Sequence, residues 1–271
     1  MEGIDTRGGE RLLYLYGFVS AAARLPPLEG IEPGAAVFLV PSQDVACAAS
    51  VVNADDYRPS VEGDRTERAA WVTARAVRHH EVVAKLHEAG GVLPLKFGTT
   101  CASEADVRGM LDGLAGTLRD LLAMLARRDE WTLKMSADIP AITERLERET
   151  PSLLAMRAAE NALPEGRAYF ARKQRTRAVG EQVARVVRQI EDAVCDRLSA
   201  AGLAVTRPRR VADGSDRGLP DAAVLVDRNG LDALKATLAA LQAEHAASSL
   251  SFTLVGPWPP YSFVAALPET N

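Results

Sequence analysis

The sequence predicts an α+β fold in two domains. Three observations carry that expectation. The chain has 271 residues, enough for two medium-sized units. Strand-like and helix-like segments alternate along its whole length. The pattern restarts after residue 128, which divides the chain into an N-terminal domain, 1–128, and a C-terminal domain, 129–271. Hydrophobic residues at 47 % and charged residues at 25 % exclude large-scale disorder. A net charge of −4 argues against a generic nucleic-acid binder, which is usually basic.

The N-terminal domain opens on "RLLYLYGFVS" (11–20), rich in β-formers and expected to be a buried strand. With "AAAR" behind it the segment imitates a signal peptide. Glu2, Asp5 and Glu10 precede it where positive charge is needed, so none is expected. "RLPPLEGIEPG" (24–34) is a loop, by its prolines and glycines. Residues 35–52 predict two strands turning at "PSQD", and "NADDYRPSVEGD" (53–64) a polar acidic loop. A helix over 66–89 is expected to turn Ala69, Val72, Ala76, Val83 and Leu86 inward and to stop at Gly90 and Gly91. "VLPLKFG" (92–98) predicts a strand with an irregularity at Pro94. Ser103 and Asp106 suggest a capping box for an amphipathic helix carrying Val107, Met110, Leu111, Leu114, Leu118, Leu121, Leu122 and Leu125. Arg127 and Arg128 suit the dipole at its end.

The C-terminal domain predicts a strand at 130–136, then a helical insertion over 137–165 broken at Pro151 and Pro164. A long helix follows over 167–201, with Val179, Val183, Val186, Val187, Ile190, Val194 and Leu198 on its core face and Gly202 at its end. "LAVTRPRRV", a turn "DGSDRG" and the apolar "DAAVLV" predict two strands. Residues 229–246 predict a helix with Leu231, Leu234, Leu238 and Leu241 inward, and "SLSFTLVG" the last strand. The order β-α-β-β-α-β is that of a ferredoxin-like split βαβ fold, here with a helical insertion. The first domain suits a related α+β sandwich.

No chemistry-bearing constellation stands out. GxxxxGK[ST], GxGxxG after a strand, HExxH and GxSxG are all missing. Three isolated cysteines, Cys47, Cys101 and Cys195, form no CxxC or zinc pattern. Cys101 sits in a turn before a helix, where a thiol pKa can fall, but no histidine is aimed at it. His80 and His87 lie two helical turns apart, about 10 Å along the axis, too far for one ion. Asp55, Asp56, Glu62 and Asp64 lack calcium-loop spacing. No catalytic residue, metal or cofactor is expected. With no apolar run of 18 residues, no transmembrane helix is expected either.

Two surfaces remain as candidate binding sites. Within the basic helix 167–188, Arg167, Arg172, Lys173, Arg175 and Arg177 suggest either a solvated face or docking on an acidic partner, with nucleic acid as a further alternative. In the tail "GPWPPYSF", Pro257, Pro259 and Pro260 stiffen the exit from the last strand. Trp258, Tyr261 and Phe263 then fold back to seal the domain or an inter-domain cleft, or face a partner.

The tail also carries a resemblance. "LVGPWPPYSFV" resembles the C-terminal signature of the gas vesicle protein GvpL/GvpF family, and other motifs agree in order. "YLYGFV" looks like that family's opening strand. "VLPLKFGTTCASEADVRGML" resembles its LPxxFGT segment and following helix, "DEWTLKMSAD" its E-W-x-x-K strand, and "GRAYFARKQ" its GxxYxxRK helix start. Lys96 stands where arginine is common, and Phe170 where leucine is common. The similarity spans roughly residues 11–264. It implies a cytoplasmic, vesicle-associated accessory protein of gas vesicle assembly, without catalysis. The implied partners are the small hydrophobic shell protein and other gas vesicle accessory proteins, with no nucleic acid and no membrane. The competing expectation is a ferredoxin-like nucleic-acid-binding or regulatory module using helix 167–188.

Overall fold

The structure is a computed structural model that describes residues 10–57, 65–207, 219, 221–246 and 250–264. It divides into two compact units. One takes the chain up to Asp129 and again from Pro257; the other is Glu130–Gly256. The tail expected in the C-terminal domain thus groups with the first unit.

In the first unit β1 (Arg11–Ser20) is the central strand. Its antiparallel neighbours are β3 (Val45–Asn53) on one side and β4 (Leu93–Pro94) with β5 (Thr100–Cys101) on the other. β2 (Phe38–Ser42) pairs with β3, giving the order β2-β3-β1-β4. The hairpin between β2 and β3 turns at Gln43, which has φ +54°. Seven successive residues of β1, Leu13–Val19, are buried, so both faces of the strand are covered. Helix α2 (Arg65–Gly90) supplies Val82, Val83 and Leu86 to the face that holds Tyr14, Tyr16 and Val19. Helix α3 (Glu104–Leu125) buries Val107, Leu111, Ala115, Leu118 and Leu125 apart from that cluster and lies against β1, β2 and β3. Ser103 caps α3 by accepting from the Asp106 N–H at 3.2 Å.

A register shift between Leu15 and Gly17 leaves Tyr16 without a partner on β3. This bulge puts 14, 16 and 19 on one face despite the two-residue period of a strand. Gly17 is required there. A Cβ on it would lie 2.6 Å from the Leu93 carbonyl oxygen and 2.7 Å from Val92 Cγ2. The Tyr16 hydroxyl pairs with Ser50 Oγ at 2.8 Å and accepts from the Ile31 N–H at 2.6 Å. The Tyr14 hydroxyl accepts from the Gly98 N–H at 2.9 Å, which leaves its own proton for His79 Nδ1 at 3.0 Å. His79 is buried between the two tyrosines, stacked on Tyr16 and edge-on to Tyr14 and Phe97. Burial holds its pKa down at about 4, partly opposed by the Leu95 backbone. Burial also raises the Tyr14 and Tyr16 pKa values.

Several local expectations shift. The inward face of α2 is not the predicted apolar stripe at its start: Ala69 and Val72 are exposed. Arg75 takes that role by forking onto Glu32 with two 2.8 Å bonds and lying over the Trp71 ring at 4.1 Å. The acidic loop begins with a helical turn α1 (Ala54–Tyr57), whose Tyr57 hydroxyl donates to Glu32. The strand expected over 92–98 shrinks to β4, because Pro94 offers no donor and Gly98 turns the chain at φ +87°. Arg127 adopts φ +61° after α3, and Arg128 already starts the next strand.

The second unit is built from β6 (Arg128–Ser136), α4 (Ile139–Glu149), α5 (Pro151–Asn161), α6 (Glu165–Ala200), β7 (Ala204–Thr206), β8 (Ala222–Asp227), α7 (Leu231–Glu244) and β9 (Ser251–Trp258). The sheet order is β7-β8-β6-β9. Pro151 occupies the first turn of α5, where its missing N–H costs nothing. The core of the unit is the ladder Val179, Val183, Val187, Ile190, Val194 and Leu198 of α6. It meets Leu234, Leu238 and Leu241 of α7 and Leu133, Val224 and Val226 of the sheet. At roughly 1.5–3 kcal/mol per buried aliphatic side chain, this burial rather than propensity holds so long a helix in place. Gly202 closes α6 in a Schellman motif at φ +82°, with Gly202 N–H on Ser199 O and Leu203 N–H on Leu198 O. The last strand runs beyond the expected Gly256 through Pro257, which an edge strand accepts. The expected Pro208 irregularity and the "DGSDRG" turn lie outside the described residues.

Two predictions test this unit-one core. Gly17→Ala should lower the urea unfolding free energy by about 1–3 kcal/mol, because a backbone oxygen blocks the new methyl; an unchanged midpoint would refute that packing. His79 binds its proton in the unfolded chain near pH 6.5 but in the folded one only near 4. Its contribution to stability is therefore complete above pH 6.5 and lost as pH falls toward 4, by about 3 kcal/mol in all. Urea midpoints of the wild type should fall across that window, and those of His79→Phe should fall less; parallel pH profiles would contradict the assignment.

Candidate functional site

The basic helix start is built by the α4–α5–α6 elbow. Glu160, at the end of α5, is only 8 % exposed at its side chain and would be costly to leave unpaired. Arg172 Nε donates to one of its oxygens at 2.9 Å and Arg175 Nε to the other at 2.8 Å. Arg175 also donates to Glu147 of α4. These bonds, the one from Arg175 foremost, hold the Glu160 carboxyl below the usual range. Arg177 pairs with Glu181 one turn on, at 2.9 Å and largely exposed. Of the five predicted basic residues, three are thus engaged with carboxylates inside the unit. Arg167 and Lys173 are exposed and have no carboxylate partner among the described residues. Beside them Tyr169 and Phe170 are 61 % and 66 % exposed, ring against ring at 5.5 Å.

The tail folds back in the first unit. Pro259 and Pro260 are buried, and a single 3₁₀ turn, Tyr261–Phe263, follows. Tyr261 N–H donates to Pro259 O and Phe263 N–H to Pro260 O, at 2.8 and 3.2 Å. His80 of α2 receives the aromatics: Trp258 lies edge-on at 5.5 Å and Tyr261 stacks at 6.1 Å. Tyr261 also packs on the cluster around Tyr14 and Tyr16. Phe263 is half-buried. The two groups of predicted site residues belong to different units.

Cys47 and Cys195 are buried, and burial raises both thiol pKa values. Cys101 directs its Sγ to the Ser103 carbonyl at 3.7 Å. His87 Nε2 bonds Asp129 at 2.8 Å. Among the described residues no group of three or more His, Cys, Asp or Glu side chains is arranged to hold a metal ion. No helix among them is long and apolar enough to cross a membrane.

Sequence reasoning missed the Glu160 hub, because the spacing of a glutamate from arginines on the next helix carries no recognisable signal. It also missed Glu32 as the anchor of Tyr57 and Arg75. The exposure of Tyr169 and Phe170 was not readable from periodicity either, since helical spacing puts Tyr169 in line with Val187 of the ladder, five whole turns away.

Comparison with known proteins agrees with this architecture. The family model described as "Gas vesicle synthesis protein GvpL/GvpF" matches residues 12–265. Gas vesicle protein F of Streptomyces sp. (strain CB03234) is 30 % identical over 186 residues, covering 69 % of this chain and 75 % of that protein. Gas vesicle protein L of the same strain is 28 % identical over 278 residues, covering 96 % and 95 %. The fold is similar to the crystal structure of GvpF from Anabaena sp. PCC7120, at a TM-score of 0.68 and 19 % identity over 93 % of this chain and 98 % of that one. GvpF from Microcystis aeruginosa gives 0.62 at 19 % identity over the same shares. With the family model matching nearly end to end, the chain belongs to the gas vesicle synthesis protein GvpL/GvpF family.

Proposed function

We propose that this protein is a non-enzymatic accessory factor of gas vesicle assembly, cytoplasmic and associated with the vesicle. In this reading it binds the small hydrophobic shell protein, works beside other accessory proteins, and helps the shell to form. The observation that carries the reading is the family match over residues 12–265, supported by a relative named gas vesicle protein L that aligns over nearly its full length. The second unit is read as ferredoxin-like: its sheet order β7-β8-β6-β9 puts the unit's first strand between its third and fourth. The first unit is read as a related α+β sandwich. Arg167, Arg172, Lys173, Arg175 and Arg177 in one unit, and Trp258, Tyr261 and Phe263 in the other, are proposed as partner-facing residues. Nucleic acid is the weaker alternative, because Arg172 and Arg175 already bind the Glu160 carboxylate and are less available to phosphate.

A gas vesicle gene cluster expressed with and without this chain tests the role. Vesicles counted by electron microscopy should be lost without it, and the tagged chain should co-purify with the shell protein. Normal vesicle numbers in its absence would sink the assembly role; vesicle loss without co-purification would leave assembly standing and remove direct shell binding. In the same assay Trp258→Ala and charge reversal at Arg172 and Lys173 should separate the two proposed faces. Loss of co-purification with only one of them assigns the contact to that face, and full retention with both rejects both.

A further inference from the structure

The solvent side of α6 carries an ordered pattern of its own. Positions 166, 169, 170, 173 and 177 follow the i, i+3, i+4, i+7 and i+11 spacing that defines one helical face, and 180 extends it by another turn. The residues are Gly166, Tyr169, Phe170, Lys173, Arg177 and Gly180. The stripe is about 20 Å long by the helical rise. It lies on the far side of the helix from Ala168, Ala171, Arg175 and Ala178, which are partly buried. A Cβ at either glycine would meet nothing, so both ends of the stripe are low and open.

Its chemistry is graded. The two exposed rings sit at the start, braced edge-to-face against each other at 5.5 Å. Rigid aromatic pairs left in water are unusual on a surface and typical of binding hot spots. One turn on, Lys173 has no carboxylate partner among the described residues. Arg177 follows, and its i,i+4 pair with Glu181 is exposed and of low strength, so an incoming carboxylate can replace it. Arg172 and Arg175 are turned away to Glu160 and do not belong to this face.

We infer that this face of α6 is a docking strip for an amphipathic helix of another protein. That helix would carry apolar side chains over Tyr169 and Phe170 and carboxylates over Lys173 and Arg177. Helix-on-helix recognition uses this i, i+3, i+4, i+7 arrangement of anchors, and the graded charge fixes the direction of the partner. The inference rests on the geometry of one helix and does not depend on the assembly role. Single-stranded RNA is a poorer match: its stacking sites need a continuous basic groove, whereas this strip offers two cations on a chain of net charge −4.

The test uses the full-length protein and a fluorescent designed helix of about five turns. Leucines line one half of its interacting face and glutamates the other. Fluorescence anisotropy should show saturable binding to the wild type. Tyr169→Ser/Phe170→Ser should weaken it by about tenfold or more. Lys173→Glu should weaken it too, and a peptide with lysines in place of the glutamates should recover binding to that variant. All three substituted side chains are exposed, and unchanged unfolding midpoints would verify intact folds. The inference is overturned if the leucine–glutamate peptide does not bind, if the variants bind it as the wild type does, or if the lysine peptide binds the wild type equally well. Sedimentation showing self-association lost in Tyr169→Ser/Phe170→Ser would assign the strip to a second copy instead. An RNA oligonucleotide binding through the same side chains would assign it to nucleic acid. Either result also overturns it.

Discussion

Two tyrosine hydroxyls carried into the middle of a strand covered on both faces must each find a partner, and the first unit is arranged around that requirement. Tyr16 draws the 24–34 loop inward through Ile31 and reaches Ser50 on β3. Tyr14 holds the Gly98 turn and bonds His79 on α2, which burial keeps neutral. The bulge at Tyr16 aims the second hydroxyl, and Gly17 leaves room for Val92 and Leu93. Glu32 continues the theme one layer out, binding Tyr57 and Arg75 so that the loop and α2 are fastened together. The C-terminal tail is then seated with Trp258 and Tyr261 on His80 and with Pro259 and Pro260 buried.

The second unit solves a different problem. Its long helix has one apolar ladder and a basic beginning. Beside the apolar packing of Ile142, Leu153 and Ala178 in the same cluster, Glu160, nearly excluded from water, holds that beginning by binding Arg172 and Arg175, while Arg175 adds Glu147. Three short-range ion pairs thereby fix the elbow of α4, α5 and α6. What looks in sequence like a free basic patch is divided by this arrangement into internal fasteners and a remainder of Arg167, Lys173 and two exposed rings.

That division bears on function. Membership of the GvpL/GvpF family directs attention to protein contacts in gas vesicle formation. A protein whose work is contact needs surfaces that stay unsatisfied after folding. The tail aromatics are largely satisfied within their own unit, and so are Arg172 and Arg175. Tyr169, Phe170 and Lys173 are not, which makes the outer face of α6 the part of the described surface with most left to offer.

Much of the architecture was legible along the chain. Strand β1, the capping serine of α3, the break at Pro151, the valine ladder of α6 and its Gly202 stop all follow from local periodicity and from the backbone preferences of serine, proline and glycine. Family membership was legible too, because its motifs lie in short contiguous strings. Tertiary structure decided everything that joins residues distant in sequence. Which face of α2 turns inward depended on Glu32 meeting Arg75 across 43 positions. Which arginines remain available depended on Glu160, and which unit receives the tail depended on His80. Periodicity reports which side of an element avoids water, but a charged or aromatic side chain can be satisfied by any complementary group that folding brings near. Its final role is therefore written only in the packed chain.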